Sequence, residues 1–152
     1  MSKIPTVMAL YKLGLMTENE VNSWGDEQLL NGTESFDYIS LLSLYGPGYC
    51  CRLPSYDFPA ARKFTFIEEF ALRATNLNLD VEEDRLNFIL WVSTECMGLD
   101  INIPEVKFGY LVDHYFHECD DAAFAHKYFN DQLRFLVEKN SEVFDTIWAS
   151  IG

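Results

Sequence analysis

The densest group of reactive side chains in the chain is DHYFHECDD, which gathers Asp113, His114, His117, Glu118, Cys119, Asp120 and Asp121, with His126 shortly after. Placed on a helix, His114 and His117 lie three residues apart and share a face. With Asp121 or His126 as a third ligand they would form a nitrogen and oxygen set of the kind that holds zinc or a related ion. The spacing is neither HExxH nor HxxEH, and no second ligand set accompanies it. We therefore assign no metal ligand and no cofactor here. A small metal-dependent enzyme or metal-binding regulator using His114 and His117 stands as an alternative reading.

A second group is acidic: Asp80, Glu82, Glu83 and Asp84, extended by Glu68 and Glu69 on the preceding predicted helix. Paired carboxylates serve as acid and base when a cleft gives them unequal environments. Adjacent acids in the first turn of a helix stay solvated, so these six residues suit a charged face for a basic partner better than catalysis. No catalytic residue is assigned. The third group is the loop Gly46-Pro47-Gly48-Tyr49-Cys50-Cys51-Arg52, a turn signal without the glycine pattern of a phosphate cradle. It matches no cysteine-enzyme signature. The four cysteines follow no CxxC spacing, and the adjacent pair cannot bridge without strain, so free thiols in a reducing cytoplasm are expected. Tyr49, Tyr56 and Phe58 in the same region are expected to be exposed interface anchors.

The elements that carry these groups read as helices. Apolar residues recur at i, i+3, i+4 and i+7 nearly throughout, and no run of alternating residues competes. Pro5 falls in the first turn of a helix that Gly14 ends. Thr17 and Glu20 make a capping box for a second helix reaching Asn31-Gly32, where Gly32 is expected to take the left-handed conformation. Ser35 caps a third. Residues 46–63 hold three prolines and two glycines and form an irregular loop with room for a short helical turn. Helix four turns Ile67, Phe70, Ala71 and Ala74 inward. Asp80 caps the next, whose LNFILWVSTECM body is apolar around most of its circumference, as in the central helix of a bundle. Further helices begin at Pro104, at Asp120 or Asp121, and at Ser141.

These elements predict an all-α protein, a compact bundle of about seven or eight helices in a single domain over residues 1–152. Hydrophobic content of 49% and aromatic content of 15% are ample for a packed core at 152 residues. Net charge is −13, from 24 acids against 11 bases, and residues 65–106 alone hold nine acids and two bases. Such a field repels phosphates, so direct nucleic-acid binding is not expected, and it attracts basic surfaces. Neither a signal peptide nor a membrane span is read, which leads to the expectation of a soluble, cytoplasmic chain with no membrane partner.

The segment VMALYKLGLMTENEVNSWGDEQLL carries the pattern LxxLGLxTxxEVxxW, a helix, a Gly-Leu break, and a capped helix with a central Trp. It resembles the start of small acidic helical immunity proteins of bacterial polymorphic-toxin and contact-dependent growth-inhibition systems. The resemblance implies a cytoplasmic protein that does no chemistry and neutralises a toxin, commonly a basic nuclease, by binding it. It carries over no site residue. An adaptor subunit of a larger bacterial complex is the further alternative.

Overall fold

The computed structural model describes residues 1–152 and consists of helices joined by turns, without a strand. In chain order they are α1 (Ile4–Lys12), α2 (Glu18–Asn31), α3 (Phe36–Tyr45), α4 (Pro47–Cys50), α5 (Phe66–Thr75), α6 (Glu82–Glu95), α7 (Pro104–His117), α8 (Ala122–Lys139) and α9 (Ser141–Ala149). The expected all-α class holds. The single turn α4 lies inside the segment read as irregular, and the other eight are the longer helices.

Side chains that satisfy orphaned backbone groups set several of the starts. Thr17 Oγ1 accepts from the Glu20 N–H at 3.1 Å while Glu20 returns the bond to the Thr17 N–H. Asp121 accepts from the Phe124 N–H at 3.0 Å and so caps α8. A second capping box, Thr65 with Glu68, starts α5. Two expectations need correction. Val81, not Asp80, occupies the cap position of α6, because the Asp80 N–H is drawn back onto Asn78 Oδ1 in a turn at 3.0 Å. Gly32 is extended, with φ −88° and ψ 167°, rather than left-handed. Ser35 precedes α3 but makes no side-chain cap bond.

Two compact units emerge, residues 1–63 with 149–152, and residues 64–148. In the first, α2 packs against α1, α3 and α4, around Ile4, Val7, Leu10, Val21, Trp24, Ile39 and Leu42. Its last residues are fastened to it: Trp24 Nε1 donates to the Ile151 carbonyl at 2.8 Å and Lys3 Nζ to the Gly152 carbonyl at 2.7 Å. Phe58 is no surface anchor. It is 1% exposed and stands edge-on to Tyr38 at 5.8 Å, so an aromatic side chain in a proline-rich loop is here part of the core. Of the three expected anchors only Tyr49 and Tyr56 reach solvent.

The second unit closes around four phenylalanines. Phe70 on α5 meets Phe88 on α6 at 5.8 Å and Phe108 on α7 at 6.0 Å, both edge-to-face, and Phe129 on α8 packs on Phe88 and Phe108. Helix α7 lies in contact with both α6 and α8. Its approach to α6 depends on Gly109. A Cβ there would stand 2.7 Å from Cys96 Sγ and 2.9 Å from the Val92 carbonyl oxygen. Gly109→Ala is therefore expected to lower unfolding free energy by about 1–3 kcal/mol through overpacking, despite the gain of roughly 1 kcal/mol in helix propensity. Urea unfolding followed by circular dichroism measures it. A variant as stable as the parent would mean that α6 and α7 separate without cost.

Candidate partner-binding surface

Helix α6 is not the enclosed central helix that its sequence led us to expect. It buries Phe88, Ile89, Val92 and Ser93, with Cys96 just past its end, and leaves its opposite side open. Glu83, Leu86, Asn87, Leu90 and Thr94 follow one another on that open side within an arc of roughly 100°, and Met97 stands in the turn just past the helix. Leu86, Leu90 and Met97 are 53%, 64% and 68% exposed. The following turn presents Leu99, Ile101 and Ile103 to solvent as well. Several large apolar side chains thus line one exposed stretch of chain, which is unlike the scattered single apolar residues of an ordinary surface.

At the start of the same helix stand Glu82, Glu83 and Asp84. All three are exposed and none forms a salt bridge; their place in the first turn is favoured by the positive end of the helix dipole. Asp80 is exposed in the turn before them. Glu68 and Glu69 stand elsewhere. Helices α5 and α6 run antiparallel, with Phe66 stacked on Trp91 at 5.6 Å and Phe70 edge-on to Phe88, so the first turn of α5 lies beside the later part of α6. From Trp91 back to Asp84 is seven residues, about 10 Å of helix axis. Each of these two glutamates also has a local task. Glu68 completes the Thr65 box, and Glu69 pairs at 3.4 Å with Arg73, whose guanidinium lies 5.0 Å from the Trp91 ring. The six acids therefore form an exposed group of four at the head of α6 and a half-buried pair apart from it.

Glu105, at the start of α7, has no solvent contact at all. Its Oε1 accepts from Lys139 Nζ at 2.5 Å and from Asn140 Nδ2 at 3.0 Å, across to the end of α8. Burial pushes the carboxyl up, but the bonds from Lys139 and Asn140, its own backbone and the lysine's charge together hold it below the usual carboxylate range. This acid belongs to the interior and adds nothing to the outer field.

The histidines at the end of α7 are taken up pairwise. His114 Nδ1 lies 2.8 Å from Glu118 and His117 Nδ1 lies 2.8 Å from Asp113, each one helical turn away. Asp121 is the cap of α8, and His126 packs edge-on to Phe116 at 5.1 Å. No three His, Cys, Asp or Glu side chains converge as a metal-ligand set. Surface depressions of about 250, 410 and 310 Å³ are lined without a histidine or cysteine. No helix is long and apolar enough to cross a membrane. The chain matches no protein-family model, no curated protein and no solved structure.

Proposed function

We propose that this chain is an immunity-type inhibitor, acting in the cytoplasm, that binds a basic toxin domain through α6 and neutralises it. The observation that carries the reading is the continuity of an unpaired acidic turn, Glu82, Glu83 and Asp84, with exposed apolar residues, Leu86 and Leu90 on the same helix and Met97 in the turn just past its end. Charge complementarity speeds encounter and selects a basic partner, and burial of the apolar side supplies the lasting affinity. The chain's net charge of −13 and the resemblance at residues 7–30 agree with this reading. The partner is a protein that would otherwise engage phosphates, its cationic surface covered by carboxylates.

The direct experiment expresses the C-terminal domain of the protein encoded immediately upstream, with and without this chain, and follows growth and complex formation. Toxicity relieved by direct binding supports the proposal; a harmless domain, or one that this chain neither binds nor neutralises, overturns it. Neutralising Glu82, Glu83 and Asp84 together as Gln, Gln and Asn is expected to slow association about tenfold at low salt and to flatten its salt dependence. Stopped-flow association rates at two ionic strengths read this out. Unchanged rates and an unchanged salt slope would remove these acids from the interface.

A further inference from the structure

The C-terminal end of α7 brings together a thiol, an imidazole and a carboxylate that the binding function does not use. Cys119 Sγ lies 3.5 Å from His114 Nε2, and the other ring nitrogen of His114 lies 2.8 Å from Glu118 Oε2. All three residues are exposed. This is the relation of nucleophile, base and orienting acid that activates a cysteine: the imidazole takes the thiol proton and the carboxylate fixes the ring and stabilises its charge. We propose that Cys119 is a thiol-modification site, activated by His114 and positioned through Glu118, that exchanges with low-molecular-weight disulfides.

In the reaction Cys119 gives its proton to His114 Nε2, and its sulfur attacks one sulfur of the disulfide. A new S–S bond joins Cys119 to that half while the original S–S bond breaks. The other half leaves as a thiolate and recovers the proton from His114. Cys119 is oxidised to the mixed disulfide and the departing half is reduced to a thiol, so no further oxidant is required.

The other three thiols lack this arrangement. Cys50 is buried and pushed up to about 11 by that burial and by neighbouring Cys51. Cys96 is buried and raised by desolvation and then by the charge of Asp113. Cys51 is half-buried and donates to the Gly48 carbonyl. Around the His114–Cys119 pair stand Glu118, the Asp113–His117 pair on the same helix, the Tyr115 ring at 5.5 Å from the His114 ring, and Asp120 and Asp121 leading into α8. From α8 itself Phe124 and Tyr128 pack against Tyr115. Transfer of the thiol proton to the imidazole 3.5 Å away leaves the pair's net charge unchanged, so it needs no separate counter-ion among these acids.

The test uses the uncharged chromogenic disulfide 4,4′-dithiodipyridine on the full chain. At pH 7 one thiol per chain is expected to react in a fast phase that is missing in Cys119→Ser and slowed about tenfold in His114→Gln. At pH 10, where an exposed thiol ionises unaided, His114→Gln should react as fast as the parent. Glu118→Gln should give a smaller slowing at pH 7 alone. A fast phase that survives Cys119→Ser overturns the proposal. So does a His114→Gln rate equal to the parent at pH 7, or slowed equally at both pH values, since the last would mean that His114 only keeps the thiol accessible.

Discussion

Lys139→Met is expected to cost the protein about 3 kcal/mol of unfolding free energy at pH 7, because it strands Glu105 in the interior without its cation. Removing one partner of a buried ion pair costs roughly 3–5 kcal/mol, and the lower end applies since the Lys139 side chain is itself 42% exposed and partly screened. Asn140 would still donate to Oε1, but Oε2 already has no hydrogen-bond partner. The sign of the pH dependence follows from the folded protein holding this carboxyl below its usual range. Its contribution is fully present above the unfolded value near 4.3, and is lost as pH falls through the lower folded value. In Lys139→Met, burial acts with less opposition, and protonation relieves the stranded charge. The gap between parent and variant should therefore be widest at neutral pH and shrink towards pH 3. Urea midpoints at pH 7 and pH 3 measure it; a gap that stays constant across that range would show that the ion pair is not what holds the start of α7 to the end of α8.

Much of the fold was legible because its signals are local. The Thr17–Glu20 box, the Asp121 cap and Pro104 at a helix start each depend on residues within one turn, and each marks a boundary of an observed helix. The Thr65–Glu68 box at the start of α5 carries the same T-x-x-E signal. What escaped the sequence is what depends on partners distant along it. Leu86, Leu90 and Met97 look like core residues in LNFILWVSTECM, since periodicity says that a helix has apolar residues all round but not whether a second layer covers each side. Phe58 shows the converse: its loop setting argues for exposure, yet it is buried, edge-on to Tyr38 from a helix twenty residues earlier. The Glu105–Lys139 pair spans 34 residues and leaves no trace in local pattern. Of the candidate surface, the acids of α6 are legible from their first-turn position, while the apolar side that makes them part of a binding face follows only from the packing of α5 and α7 on the rest of the helix.

That apolar side carries the second large expectation, which rests on the proposed function. Leu90→Arg should weaken the complex with a basic toxin domain by about a hundredfold, roughly 2.7 kcal/mol, and abolish protection of growth at matched expression. Two effects act in the same direction: the substitution removes an apolar contact and places a cation opposite a cationic partner, where like charges cannot both be desolvated. The fold should be indifferent, because Leu90 is 64% exposed and contributes little to the packing of α6 against α7. Leu30→Arg, at an 84% exposed apolar residue of the other unit, serves as the control and should leave binding unchanged. Kinetics separate the roles of the two ends of α6. The acid substitutions act on the association rate and its salt dependence, whereas Leu90→Arg should act mainly on dissociation, since short-range contacts are lost only after docking. If Leu90→Arg binds as the parent does while the acid variant is impaired, the partner reads the charged end of α6 alone and the apolar side serves something else. If neither matters and growth is still protected, the interface lies off this helix altogether, and unit 1, with Tyr49 and Tyr56 in the open, becomes the surface to substitute next.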